Sequence, residues 1–526
     1  MRSHLRLLLA ILLATTVALG LTVTSAQAAG IPKVSKVSSA GQDWYNAKLK
    51  IRWKAVSGAT YQVRWAASKS GLGRATPITA TSSSTSTSTL SNRCVAWYVQ
   101  VRALKAGKVG AWSKAKKLKF KNKAPAVAKT STGGQTSTTA AKVSWSYTSY
   151  AAKYRLRWSA APYGLWKGYD KYTSWFGKTA RSVSINLPKT PAAKDRFLSP
   201  AYGNPIFGQL QTNNGCTRTT RQTPFFPVFS KPRDPGTSAT GYGFAIGSYN
   251  VELFPTSAKN ATKINNLADN IAARNLDAVL LQEATFTTAS NIASRLASGE
   301  GQSGWKVVTA GDDGYVGQQI LYRSSKFTVA GSGLVGQRKD SSLTTPLLTP
   351  WARLTPVAPA TGSQDVLVVS AHLESSSSTS IPTKKKSAHD QSAALLRELA
   401  AKAPTGIPTI VGGDLLGSFG AYCDENSEPA CVGEGQPTFV RAGYWDAQSA
   451  VTKVGLKYST VNKHATKPAV SKVGVGGRAD YLLFKGFTGI RRYENVNRVY
   501  GKATSAYQSD HNLITASVYV PFLSTP

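Results

Sequence analysis

The chain has 526 residues, more than one hydrophobic core accommodates and enough for roughly three domains. After the N-terminus no run approaches the roughly 20 apolar residues that cross a bilayer, which argues against a membrane-spanning mature chain. Net charge is +39, and it is unevenly placed: residues 31–239 hold 35 Lys+Arg against 4 Asp+Glu, residues 240–526 hold 27 against 21. The N-terminal half is therefore a polycation suited to nucleic acid, anionic cell-wall polymer or acidic lipid headgroups, while the C-terminal half carries nearly all the carboxylates.

Arg2 and Arg6 precede the mostly apolar stretch from Leu7 to Leu21, and Ala26-Gln27-Ala28 has the small-x-small form of a cleavage site. This predicts a signal peptide over residues 1–28 and an extracellular or cell-wall-associated product. In that compartment the four cysteines are free to form disulfides. Cys423 and Cys431 lie close together in a Gly/Pro/Glu-rich loop and are expected to pair. For Cys94 and Cys216 the sequence leaves both a bridge and free thiols open.

From residue 31 to about 230 the pattern is one of short strands without a helical period. Tyr61-Gln-Val-Arg-Trp65 returns as Tyr154-Arg-Leu-Arg-Trp158, about the length of one small β-sandwich later. Each run follows another Trp-bearing strand, Leu49–Trp53 and Lys142–Trp145. The strand Ala96–Ala103 then precedes Ala111-Trp112-Ser113. This pattern resembles fibronectin type III modules, one over 31–122 and a divergent one over 126–232. Lys and Arg alternate with the aromatics, so either the aromatics are core with solvated cations behind them, or the two together form a nucleic-acid surface.

From residue 240 apolar strands alternate with amphipathic helices, and polar residues recur at strand ends. Phe244–Tyr249 delivers Asn250 and Glu252. Ala278–Leu281 ends in Gln282-Glu283, Val366–Ala371 in His372, and Pro408–Val411 in Gly412-Gly413-Asp414. Arg478-Ala479-Asp480 enters one strand, and Ser509-Asp510-His511-Asn512 opens the last, Leu513–Val520. Glu and His do not favour turns, so six such placements indicate side chains held at the rim of a rigid sheet.

These stretches, in this order, resemble the endonuclease/exonuclease/phosphatase superfamily, whose fold is that of DNase I. The resemblance covers about residues 243–520 and implies, over 240–526, an α+β domain built as a four-layer α/β/β/α sandwich, so the whole chain is two all-β sandwiches followed by that domain. It implies a metal-dependent phosphodiesterase. Carboxylate oxygens suit Mg²⁺ or Mn²⁺, with Ca²⁺ a further candidate. Glu283 is the expected first ligand, with Glu252 and Asp510 as further ligands. His511 is the expected base, oriented by Asp480; His372 stabilises the phosphate or protonates the leaving group, Asn250 binds the phosphate or a metal water, and Asp414 positions or activates the nucleophile. The pattern breaks once: the family has Asn two residues after this Asp, and here Leu416 stands there. One lost donor costs about 10²–10³ in rate, unless a neighbour such as Ser418 or Asn426 replaces it. His389 and His464 read as solvated.

The leading expectation is a secreted nuclease for DNA or RNA whose basic modules hold polyanion. A sphingomyelinase-like phospholipid phosphodiesterase is the second reading, for which Gly443-Tyr444-Trp445 is the one hint of a membrane-entering hairpin. A catalytically impaired surface-binding protein is the third.

Overall fold

The structure is a computed structural model. It describes residues 30–132, 137, 140–159, 171–186, 203, 205–216, 220–236, 240–252, 261–310, 317–337, 347–373, 381–402, 406–416, 435–465, 467, 470–499, 502–503 and 509–523. The expected signal peptide, the Cys423/Cys431 pair, Ser418 and Asn426 lie outside the described residues. Two compact units are formed: Met1–Val127 with Thr148–Tyr154 and Thr212–Arg221, and Ala128–Tyr147 with Arg155–Gln211 and Gln222–Pro526.

The first unit is built on β1 (Ser38–Asp43), β2 (Lys48–Arg52), β3 (Thr60–Ala66), β4 (Ile78–Ala80), β5 (Ser84–Ser86), β6 (Ala96–Lys105), β7 (Lys108–Val109) and β8 (Lys116–Lys119). Sheet β1-β2-β5 faces sheet β4-β3-β6, to which β7 and β8 add along β6. Period-two alternation sends Leu49, Ile51, Tyr61, Val63, Trp97, Val99 and Val101 into one core with Trp44 and Trp53. This is the arrangement expected of a fibronectin type III-like sandwich. Ser113 of the Ala-Trp-Ser turn accepts the Val101 N–H at 3.0 Å and is buried. Cys94 and Cys216 form a disulfide within this unit, spanning 122 residues of sequence.

The cations behind these strands are not simply solvated. Arg64 and Arg102 lie over the Trp112 ring at 4.1 and 4.4 Å, and each is hydrogen-bonded to a cross-strand glutamine, Gln100 and Gln62. The device recurs in the second β region, where Arg155 lies over Tyr172 and Trp175 and donates to Gln211 at 2.6 Å.

That region comprises β9 (Thr130–Thr132), β10 (Ala140–Trp145), β11 (Lys153–Ser159), β12 (Lys171–Tyr172), β13 (Phe176–Gly177), β14 (Ser182–Asn186), β15 (Ile206–Asn213), β16 (Thr220–Gln222) and β17 (Phe226–Val228). Sheet β14-β10-β9 corresponds to β1-β2-β5, and β12-β11-β15-β16 to the other sheet, with β13 on β11 and β17 on β15. Within the second unit Phe207 packs on Val473 and Val475 of the C-terminal part. Arg233 lies over the Trp445 ring at 4.3 Å, its backbone joined to Ser449 and Ile490. The stretch expected to be a boundary is thus anchored by side chain and backbone.

The C-terminal part continues with β18 (Gly241–Asn250), α1 (Ala261–Ala272), β19 (Ala278–Gln282), α2 (Phe286–Ser298), β20 (Trp305–Val307), β21 (Gln318–Arg323), β22 (Phe327–Gln337), β23 (Leu347–Pro356), β24 (Val366–His372), α3 (Ile381–Lys402), β25 (Thr409–Asp414) and α4 (Gly435–Arg441). It ends with β26 (Trp445–Asp446), β27 (Thr452–Val454), β28 (Asp480–Lys485), β29 (Gly489–Asn495), the hairpin β30 (Arg498–Val499) and β31 (Lys502–Ala503), and β32 (Ile514–Pro521). Two sheets form, β20-β21-β19-β18-β32-β29-β27 and β22-β23-β24-β25-β28-β26.

Their central strands are continuous apolar runs because both faces are covered. In β19, Leu280 faces the other sheet, while Val279 and Leu281 meet Leu267, Ile271, Ile292 and Leu296 of α1 and α2. In β24, Val366 and Val368 face inward, while Leu367 and Val369 meet Leu395 and Leu399 of α3 and Phe439 of α4. The result is the four-layer α/β/β/α sandwich that the resemblance implied. Beneath the rim the sheets approach so closely that a Cβ on Gly412 would lie 2.5 Å from Leu280 Cδ1.

Candidate active site

Register brings the polar strand ends together. In parallel β24 and β25, His372 pairs with Asp414, and in antiparallel β28 Asp480 pairs with the same Asp414. Three chemistry-bearing residues therefore stand side by side on adjacent strands. On the other sheet, parallel β18 and β19 pair Asn250 with Gln282, so Glu283 follows immediately beyond the strand. The last strand supplies His511 from the loop before it.

His511 is the hub. Its Nδ1 lies 3.0 Å from both oxygens of Asp480, which is fully buried. Its Nε2 lies 3.7 Å from Asp414 Oδ2 and 4.0 Å from Asp510 Oδ1. On the far side of Asp414, His372 Nε2 is 3.9 Å from the same Oδ2. One carboxylate thus stands between two imidazoles, with a second carboxylate behind one of them.

Burial alone lowers the imidazole pKa of His511. The Asp480 charge and hydrogen bond, followed by Asp414 and Asp510, outweigh burial and push it up to about 10. Asp414 is held above the usual carboxylate range by burial and then by the Asp480 charge, against the opposing pull of His372, His511 and the Leu416 N–H.

The second group of oxygens faces this one. Asn250 Nδ2 donates to Glu283 Oε1 at 2.8 Å, and its Oδ1 accepts the Glu252 N–H at 3.1 Å. Ser509 ties the two sides together, donating to the Asn250 carbonyl at 2.7 Å and accepting the His511 N–H at 3.1 Å. Asp510 has a raised pKa, first from burial, with Glu252 and Glu283 adding to it and His511 and His464 opposing. The charges of Glu252 and Glu283 thus reach Asp510, and carboxylate oxygens of this kind are the hard donors that suit a small divalent cation. Glu283, Glu252 and Asp510 are the ligands expected from the sequence; both glutamates act on the Asp510 charge, and Glu252 is also engaged by Lys263 and His464.

A tighter group, Asp414, Asp480 and His511, has donor atoms within 4.8 Å of one another. With His511 held protonated and its Nδ1 engaged by Asp480, this trio is better suited to sharing protons than to holding an ion.

Glu252, Glu283 and Leu416, each just past a strand of the site, have φ of 53°, 52° and 50°. Left-handed backbone is unfavourable for such side chains, so the rim is strained where the site is built.

Two residues near the site escaped the sequence reading. His464, expected to be solvated, lies with Nε2 3.0 Å from Glu252 Oε2, beside Lys263 Nζ at the same distance. Burial raises the Glu252 pKa, but the hydrogen bonds from His464 and Lys263 and their electrostatic pull outweigh it and hold the carboxyl low. Thr460 is fully buried, and its hydroxyl accepts both the Ala479 and Asp480 N–H groups at 3.0 and 3.3 Å, fixing Asp480. Nothing local marks either; both act through a loop whose Asn462 and Lys463 N–H groups bond the Asp510 carbonyl. His389 instead pairs with its neighbour Asp390 at 3.2 Å.

Leu416 donates only its backbone N–H, to Asp414 Oδ1 at 2.9 Å, while its side chain packs on the α3/α4 core. Tyr444 is buried, and Trp445 is packed against the inter-sheet core. The Gly443-Tyr444-Trp445 stretch is therefore not an exposed aromatic hairpin. Among the described residues no helix is long and apolar enough to cross a membrane.

Two facing sheets between helix pairs, with a His/Asp/Asp cluster and carboxylates at one rim, define the DNase I-like class. Residues 247–418 match the model of the Endonuclease/Exonuclease/phosphatase family. No curated protein matches the chain. Similar solved structures include an endonuclease/exonuclease/phosphatase family protein from Leptotrichia buccalis, at 15% identity and TM-score 0.37, covering 52% of this chain and 99% of that one. A truncated TDP2 from Caenorhabditis elegans is 18% identical over 54% of this chain and 100% of that one, with TM-score 0.35. A Staphylococcus aureus beta toxin mutant with bound magnesium ions is 16% identical over 53% of this chain and 100% of that one, with TM-score 0.37.

Proposed function

We propose that the chain is an exported, divalent-metal-dependent phosphodiesterase that hydrolyses nucleic acid. The observation that carries this reading is Asp414 standing between His372 and His511, with Asp480 behind His511 and the Glu252/Glu283/Asp510 oxygens opposite. Glu283 and Asp510 would hold the ion, with Glu252 beside them. When bound, the ion supplies positive charge to the phosphoryl oxygens and to the three carboxylates.

The remaining chemistry belongs to the chain. An imidazole with a pKa near 10 is a cation at neutral pH, so His511 suits a donor to the phosphate better than a base. A carboxylate raised by burial is a stronger base than an exposed one, so Asp414 takes the proton of the attacking water. The water oxygen bonds to phosphorus, the ester P–O bond breaks, and His372 gives the leaving oxygen its proton. The Asn250 amide, fixed on Glu283, orients the phosphate-side oxygens.

The Leu416 side chain offers no donor, which favours a slow enzyme and keeps the impaired binding protein as the second reading. One panel separates these. The full chain is assayed on plasmid DNA, RNA and sphingomyelin with Mg²⁺, Mn²⁺ or chelator. Chelator-sensitive cleavage of nucleic acid is expected. Turnover of sphingomyelin alone would overturn the substrate assignment, and no turnover on any substrate would overturn the enzyme reading.

A further inference from the structure

The first β-sandwich carries a surface that the C-terminal site does not use. Residues 30–127 contain 19 Lys+Arg and a single carboxylate, Asp43. Most of that charge has no acidic partner within its own unit. Its placement on the two sheets differs sharply.

On the outer face of β3 and β6, Arg64 and Arg102 are committed. Each is bonded to a glutamine and stacked on Trp112. The outer face of β1-β2-β5 is built differently. Leu49 and Ile51 of β2 point into the core, so Lys48, Lys50 and Arg52 all point outward, and all three are exposed. Their cross-strand neighbours are small or hydroxylated: Arg52 lies between Ser38 and Ser84, and Lys50 between Gly41 and Ser86, while Lys48 faces Asp43. The Asp43 carboxylate is already taken by Asn46, from its backbone at 3.0 Å and its side chain at 2.7 Å. Arg52 has only a long contact to Ser38 Oγ at 3.4 Å, and Lys50 has no hydrogen bond or ion pair among the described residues.

Side chains two residues apart on one strand stand about 7 Å apart, so three cations form a row along β2, bordered by hydroxyls and by a bulge of β1 between Ser39 and Gly41. The fold does not require this row. In the second sandwich the equivalent strand β10 keeps the buried alternation through Ala141, Val143 and Trp145 but faces outward with Ala140, Lys142 and Ser144. The hydroxyl borders persist there, in Ser131, Ser182 and Ser184. Three cations have become one while the core pattern is unchanged, so the row is not a by-product of building the sandwich.

We propose that the outer face of β1-β2-β5 is a docking surface for one extended nucleic-acid strand, held through its phosphates by Lys48, Lys50 and Arg52 with serine hydroxyls alongside. The linear spacing along one strand and the absence of an aromatic or apolar side chain among these row positions both favour backbone contact without base reading. A bilayer would additionally call for apolar groups to insert, and this row offers none. The surface rests on the nucleic-acid reading above for the identity of its polymer, but not on turnover.

The test uses the full chain in chelator with a fluorescein-labelled oligodeoxythymidine, and follows affinity against salt. Lys48→Ser/Lys50→Ser/Arg52→Ser removes three charges from the row. Lys69→Ser/Lys105→Ser/Lys108→Ser removes the same charge from exposed positions elsewhere in the unit. The row variant is expected to flatten the slope of log affinity against log salt by about 2, and the matched variant to leave it nearly unchanged. Equal losses in both would overturn the proposal, since the charge would then act only as a diffuse field. So would an unchanged slope in the row variant, or a row variant that loses binding to phosphatidylglycerol vesicles and none to the oligonucleotide. Circular dichroism of both variants confirms folding. Cleavage is never measured, so this result stands or falls separately from catalysis by the C-terminal site.

Discussion

Replacing Asp480 by Asn is the sharpest probe of the site. The side chain keeps its shape and one acceptor oxygen, but the charge that holds His511 protonated is gone. In the structure both Asp480 oxygens lie 3.0 Å from His511 Nδ1, and the imidazole pKa stands at about 10 against an ordinary 6.5. An opposite charge at such range is worth about 1–3 pH units, so the His511 midpoint is expected to fall by that amount in the variant. Because the folded pKa is raised, the stabilisation is present in full below pH 6.5 and is lost as pH rises through about 10. The melting temperature of the metal-free variant should therefore lie below that of the wild type at neutral pH, and the gap should close above pH 10. With five histidines in the sequence, imidazole NMR titration assigns the midpoint directly. Turnover should fall by about 10²–10³, the usual worth of one preorganised donor to the phosphate. If His511 titrates near 6.5 in the wild type, or its midpoint ignores the substitution, the account of the site's charge state is wrong.

Leu416→Asn restores a donor and suits a backbone φ of 50° better than leucine does, so it should raise turnover of bis-p-nitrophenyl phosphate by up to about 10²-fold; an unchanged rate would mean that another group already fills the role. Glu283→Gln should weaken Mn²⁺ or Mg²⁺ binding measured by titration calorimetry, while Asp390→Asn, beside the remote His389, should leave it unchanged. Cys94→Ser with Cys216→Ser opens a link spanning 122 residues and should destabilise the first unit by about 4–5 kcal/mol in chemical denaturation, an upper value from chain entropy.

The sequence alone determined the order of architectures, an all-β N-terminal region followed by a mixed α/β sandwich. Period-two aromatics repeated at Tyr61 and Tyr154 could only be core strands of a small sandwich, and continuous runs such as Ala278–Leu281 needed cover on both faces. It also named the candidate residues at the strand ends, because Glu, His and Asp there are local signals. Other features depended on register and loop packing. His372, Asp414 and Asp480 are neighbours only because β24, β25 and β28 pair in one register. His464 meets Glu252, and Thr460 holds Asp480, across long sequence separations that no local pattern encodes. The charge state of His511 likewise needed three carboxylates from three segments around one buried ring. Electrostatics in a buried site follow distance in space, and distance in space is what one-dimensional pattern cannot supply.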